Sequence, residues 1–178
     1  RDPSSAASDV YKRQPPGCGK TRLAHQLPRL LPALSRKEAL SITRIHSVAG
    51  QLHGIDQLQQ QRPFRSPHHS CSAAALLGGE RSPRPGEVSL AHGGVLFLDE
   101  LAEFPRAVLD QLRQPLEHGA VQISRSQKST LFPALVTLVA ATNPCLCGWH
   151  GDRDHGCRCS INQRQRDWQR LSLSLIHI

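Results

Sequence analysis

Seven consecutive residues, Pro15-Pro16-Gly17-Cys18-Gly19-Lys20-Thr21, fill all but the first position of the pattern G-x-x-x-x-G-K-[ST]. Glycines in such a loop let backbone N–H groups turn toward phosphate oxygens without a Cβ in the way. The lysine reaches the β/γ phosphates, the Thr hydroxyl binds magnesium, and the helix that follows offers its positive end. Pro16, Gly17, Cys18, Gly19, Lys20 and Thr21 are therefore the candidate nucleotide-binding residues, with Gln14 standing where the first glycine belongs. A Gly-rich turn with an incidental lysine is the plain alternative.

A magnesium-nucleotide also needs acids. Val95-Leu96-Phe97-Leu98 is a wholly apolar run that ends in Asp99-Glu100. Carboxylates at the C-terminal end of a buried strand face the ligand crevice of an open α/β sheet. Asp99 then holds magnesium together with Thr21, and Glu100 polarises the water that attacks the γ-phosphate, a positioning role without covalent chemistry. A second apolar run, Leu135–Ala141, ends at Thr142-Asn143. Asn143 is the candidate residue that orients this water or touches the γ-phosphate; capping the turn before Pro144 is its ordinary alternative.

Cys145, Cys147, Cys157 and Cys159 form C-x-C-x9-C-x-C, with His150 and His155 between the pairs. Four thiolates paired on one loop can close a tetrahedral Zn2+ site. A disulfide-bonded loop and free thiols remain the alternatives. Cys71 reads as a small buried apolar residue, and His68-His69 as a structural or nucleic-acid-facing pair, with metal binding as the other reading.

The elements that must carry these groups follow from pattern. Leu23, Ala24 and Leu27 share a helical face that runs from Gly19 to about Leu27, where Pro28 ends or kinks it. Ser35 and Glu38 make an S-x-x-E capping box for a second helix reaching about Val48, with Gly50 placed to stop it. Residues 62–94 are rich in Gly and Pro and read as irregular, with a short helix at Ala73–Leu77. Pro105 opens a helix whose Val108, Leu109, Leu112 and Leu116 lie on one face before Gly119. Val121–Ser124 and about Ser129–Phe132 pair as a hairpin. Strands alternating with helices predict an α/β fold with a parallel sheet.

The chain has 178 residues, 38% of them hydrophobic, enough for one domain with a core. No apolar run is long enough to span a membrane and no signal sequence is evident, so a cytoplasmic location with reduced cysteines is expected. The formal net charge of +8 suits a polyanionic partner, because each neutralised phosphate releases counterions; a solvated basic surface is the bland alternative. The chain begins with Arg1 and has no Met. Residues 1–14 and 173–178 look foreign, leaving 15–172 as a partial ATPase domain. Because residues 1–13 hold no apolar run, the strand that should feed the phosphate loop is expected to be missing, and the piece to be poorly stable and weak or inactive as an ATPase.

The segments P-P-G-C-G-K-T, R-P-F-R-S-P-H-H-S (Arg62–Ser70), P-G-E-V-S-L-A-H-G-G-V-L-F-L-D-E-L (Pro85–Leu101), L-R-Q-P-L-E (Leu112–Glu117) and A-T-N-P-C-L-C-G (Ala141–Gly148) resemble the magnesium-chelatase-like AAA+ ATPases of the ComM/YifB group. The resemblance covers about residues 15–172. It implies a P-loop NTPase core of AAA+ type, lacking its first strand and C-terminal lid, that uses ATP and Mg2+ in a homo-oligomeric ring of six. It also implies DNA, single-stranded or branched, as partner, and branch migration during natural transformation as the associated process. By the same resemblance Arg62–Leu90 is an insertion within the second helix, and Val121–Phe132 a hairpin that grips substrate, with Arg125 and Lys128 as its phosphate contacts. The trans-acting arginine segment has no counterpart in this chain. Two other functions stay open: the ATPase subunit of a metal chelatase, and a non-hydrolysing zinc or nucleic-acid-binding module.

Overall fold

The computed structural model describes residues 10–13, 19–52, 57–79, 83–125, 128–151 and 156–165. Its frame is a four-stranded, all-parallel sheet in the order β1-β6-β3-β2, where β1 is Val10–Arg13, β2 Phe64–Arg65, β3 Val95–Leu98 and β6 Thr137–Thr142. A separate antiparallel hairpin joins β4 (Ala120–Arg125) to β5 (Lys128–Pro133). The α/β reading with a parallel sheet therefore holds. Among the described residues, no helix is long and apolar enough to cross a membrane.

All four residues of β3 are buried because the sheet is covered on both faces. Side chains alternate across a strand, so Val95 and Phe97 point one way and Leu96 and Leu98 the other. Val95 and Phe97 join Val139 and Ala141 of β6 and Ala24 of helix α1 (Lys20–Ala24), with Leu27 of α2 (Leu27–Leu30) and Phe64 beside them. Leu96, Leu98, Leu138 and Ala140 join the larger core. It is closed by α4 (Ala73–Leu77), α5 (Glu87–Leu90), α6 (Arg106–His118) and the inward residues of the hairpin, Val121, Ile123 and Phe132.

The local signals explain most elements. Ser35 caps α3 (Arg36–Val48) through a reciprocal box: its Oγ accepts from the Glu38 N–H at 3.3 Å, and its own N–H donates to the Glu38 carboxylate at 2.8 Å. Ser72 caps α4 by accepting from the Ala75 N–H. Helix α6 starts after Pro105 and ends at Gly119 with its Val108, Leu109 and Leu112 buried and Leu116 packed against the same core. Pro115 lies inside α6 with its ring buried, so the backbone donor it lacks is exchanged for apolar contact.

Four expectations need correction. The place expected to lack a strand is held by β1, paired in parallel with β6 from Val10↔Val139 to Arg13↔Thr142. Backbone pairing to a neighbouring apolar strand suffices here, where the segment's own composition gives no signal. The first helix stops at Ala24, turns at His25-Gln26, and restarts as α2 with Pro28 in its first turn, where a missing N–H costs nothing. Residues 62–94 are not merely irregular around one helix: they contain β2 and α5 as well. Nor is Arg62–Leu90 an insertion within a helix. Phe64–Arg65 pairs with β3, and Leu76, Val88 and Leu90 are buried.

Two histidines tie α3 to this frame and make it pH-sensitive. His92 Nδ1 accepts from the Leu135 N–H at 3.1 Å, and Nε2 lies 3.2 Å from the Ser41 Oγ. His46 Nε2 lies 3.1 Å from the Leu90 carbonyl oxygen. Burial lowers the pKa of both. The folded protein thus takes up these protons less readily than the unfolded chain, so their contribution is whole above the ordinary histidine value of 6.5 and drains away as the pH falls below it. The urea unfolding midpoint is expected to drop between about pH 7.5 and about pH 5.5. His92→Asn, whose side-chain oxygen can still accept from Leu135, should flatten that drop; an unaltered slope would show that other groups cause it.

Candidate functional site

The parallel register decides which loops meet. Leu98 of β3 pairs with Ala140 of β6, and Arg13 of β1 with Thr142. The residues following β3 and β6 therefore emerge side by side at the C-terminal edge of the sheet, where α1 begins. Gly19 precedes α1 with φ of 69°, a left-handed conformation that a side chain disfavours. Pro16, Gly17 and Cys18 lie outside the described residues.

Two hydrogen bonds close the crevice. Lys20 Nζ donates to Asn143 Oδ1 at 2.8 Å. Thr21 Oγ1 donates to Asp99 Oδ2 at 2.8 Å. Four residues from three separate segments thus converge at one crevice. Helix α1 has only five residues, so attraction of an anion at its mouth rests on the Lys20 charge more than on a helix dipole.

Glu100 is the exception in backbone geometry. At φ 52° and ψ 49° it has positive φ without being glycine, alone in this among the described residues. Such a conformation costs on the order of 1–3 kcal/mol and persists only where the surroundings impose it. Here the Glu100 N–H donates to Asp99 Oδ1 at 3.0 Å, and the Glu100 carbonyl accepts from the Glu103 N–H at 2.8 Å. The side chain projects outward, with Oε2 3.4 Å from His69 Nδ1. His69 is itself held between the His68 ring, 4.0 Å away between centroids, and the edge of Phe104.

This use of His69 was not foreseen in the sequence. The signal was the Arg62–Ser70 block, whose other charged members brace the frame. Arg62 donates to the Pro32 and Gly93 carbonyl oxygens at 2.7 and 2.5 Å and pairs with Glu38 at 3.2 Å. Arg65 makes a two-pronged pair with Glu87 at 2.6 and 2.7 Å. Both arginines hold β2 and its flanks in place, which in turn sets where His69 stands.

Arg125 and Lys128 pair in register at the turn end of the hairpin. Gln122, Ser124, Ser129 and Leu131 alternate outward along its exposed face. Beyond β6, the sulfurs of Cys145, Cys147, Cys157 and Cys159 lie within 4.8 Å of one another. Backbone N–H groups of Trp149 and Arg158 pull the Cys147 thiol down to about 6. Cys159 is pushed up to about 11: a backbone hydrogen bond from Cys147 favours its thiolate, but burial and the neighbouring sulfurs outweigh it. Cys71 stands apart, half-buried, its thiol raised by burial. Cys18 and His155 lie outside the described residues.

A family model described as magnesium chelatase, subunit ChlI, matches residues 9–177. The YifB protein of Salmonella typhimurium is 49% identical over 158 residues, 89% of this chain and 31% of its own length. The competence protein ComM of Haemophilus influenzae is 50% identical over 158 residues, 89% of this chain and 30% of its own. The chain thus spans about a third of the length of these relatives. In a cryo-EM-based model of the complex between subunits BchI and BchD of magnesium chelatase, one chain shares the fold with a TM-score of 0.59 at 20% identity, covering 92% of this chain and 58% of that one.

Proposed function

Because the chain belongs to the magnesium chelatase, subunit ChlI, family, and within it to the ComM/YifB group of AAA+ ATPases, we propose that it forms the ATP-hydrolysing core of a ring motor acting on DNA. The observation that carries the catalytic half is the pair of contacts Lys20–Asn143 and Thr21–Asp99 at one crevice.

A hydroxyl and a carboxylate 2.8 Å apart are hard oxygen donors of the kind magnesium takes. Thr21 and Asp99 would hold the ion, which would supply positive charge against the bound phosphates. Lys20 exchanges its bond to Asn143 for a phosphate oxygen, at little cost since one polar partner replaces another. Asn143 keeps its side-chain N–H groups for the γ-phosphate or the attacking water. Glu100 orients that water and takes its proton. His69 steadies the Glu100 carboxylate from the other side, through the 3.4 Å contact.

The DNA half is supported by the net charge of +8, by two cations at the free end of a hairpin, and by the competence protein among the relatives. Arg125 and Lys128 contact the phosphate backbone, and subunits of the same chain, six in number, present their hairpins to a shared pore. Steady-state ATP hydrolysis by the full-length protein, measured with and without single-stranded DNA, tests this. DNA should stimulate hydrolysis, less so as salt rises, and Arg125→Ala with Lys128→Ala should remove the stimulation while leaving the basal rate. Hydrolysis indifferent to DNA in every salt would sink the motor reading and favour a chelatase-type ATPase. An unchanged phenotype for a hydrolysis-dead protein would favour a binding module instead.

A further inference from the structure

The four cysteines after β6 play no part in the reactions above, yet their geometry is specific. They sit as one C-x-C pair at each end of a single loop. The Sγ–Sγ separations are 3.3 Å for Cys145–Cys147, 3.6 Å for Cys145–Cys157 and 3.7 Å for Cys147–Cys157. A disulfide needs about 2.0 Å, so no two of them are bridged. Sulfurs held tetrahedrally at about 2.3 Å from one zinc ion stand about 3.8 Å apart. The Cys145, Cys147 and Cys157 sulfurs stand slightly closer than that, and the Cys159 sulfur lies within 4.8 Å of each of them.

Ordinary core packing does not account for the crowding, since only Cys145 is buried and the other three are half-exposed. Backbone donors are also aimed at the sulfurs. The Cys147 N–H donates to Cys159 Sγ at 3.3 Å, the Trp149 and Arg158 N–H groups to Cys147, and the Cys159 N–H to Cys157. Such donors stabilise thiolates and serve as the outer shell of a metal site. His150 is occupied elsewhere, accepting from the Arg164 guanidinium at 3.0 Å. Among the described residues, the ligand set is therefore sulfur alone.

We propose that Cys145, Cys147, Cys157 and Cys159 bind one Zn2+ as a closed tetrathiolate whose role is structural. Four thiols give up their protons to the solvent and take the ion, leaving a site with a formal charge of minus two that the backbone N–H groups offset. All four positions are filled by protein, so no water is activated there. The metal fastens two junctions at once. Cys145 is two residues beyond Asn143, and Cys159 adjoins Ser160, which caps the helical turn 161–165 through a reciprocal pair with Gln163 at 2.9 and 3.3 Å. Zinc therefore fixes the end of β6, and with it the Asn143 side chain that meets Lys20.

The test is elemental analysis of the full chain, prepared without a histidine tag in reducing buffer and no added metal. About one zinc per chain is expected, with an X-ray absorption edge fitted by four sulfurs at about 2.3 Å. Cys157→Ser combined with Cys159→Ser should lose the ion, and Cys71→Ser should keep it. Should the double variant fail to fold, the absorption spectrum of the unaltered protein still decides. Metal-free protein with all its thiols reactive, a disulfide detected under denaturing conditions, iron in place of zinc, or a nitrogen ligand in the shell would each overturn the proposal. None of these readouts depends on whether the protein hydrolyses ATP.

Discussion

Glu100→Gln is expected to bind ATP as the unaltered protein does and to hydrolyse it about 100- to 10,000-fold more slowly. The substitution keeps the side chain's length and can still accept from His69, but it cannot take a proton from the attacking water. The backbone strain at φ 52° is common to both residues, so the fold is not expected to differ. Lys20→Ala should behave in the opposite way and fail at binding, because it removes the charge that meets the phosphates. Fluorescent-nucleotide titration and single-turnover hydrolysis on the two variants separate the roles. An unchanged single-turnover rate in Glu100→Gln would mean that another group activates the water, and the assignment of Glu100 would fall.

Phe97→Ala should cost about 3–5 kcal/mol of folding stability. Its ring is 1% exposed, in the smaller core formed by Ala24, Val95, Val139 and Ala141, with the Phe64 ring 6.1 Å away. The loss is a large share of the roughly 5–15 kcal/mol that holds a typical domain together. The location matters as much as the size. Ala24 belongs to α1, the helix that presents Lys20 and Thr21, so a cavity beneath it loosens the crevice. Leu112→Ala on the opposite face should lower stability by a similar order, about 2–5 kcal/mol, while sparing nucleotide affinity under conditions where both variants remain folded. Urea unfolding together with nucleotide titration measures both effects. Equal losses of affinity in the two variants would show that the smaller core has no special link to the site.

Elements with local chemistry were legible without coordinates. Ser35 and Glu38 announce α3, four apolar residues before two acids announce β3, and Pro105 and Gly119 frame α6. Each depends on neighbours within a few positions. What escaped depends on distant partners. Val10–Arg13 has no apolar run, and becomes a strand because β6 offers it a ladder. Phe64–Arg65 is two residues long and is recognisable only against β3. Arg62 and Arg65 find their acceptors far away in the chain, in the Pro32 and Gly93 carbonyls and the Glu38 and Glu87 carboxylates.

The same division runs through the candidate site. Sequence alone fixed the inventory: a lysine and threonine at a helix start, two acids and an asparagine at strand ends, and four thiols on one loop. Residue type and short-range spacing limit what such groups can do, and those are properties of the covalent chain. Only the fold decided that Thr21 meets Asp99, that Lys20 meets Asn143, and that His69 stands beside Glu100. These meetings are set by the parallel register of β1, β6 and β3, which is fixed by burying both faces of the sheet at once, a condition no short stretch of sequence can express.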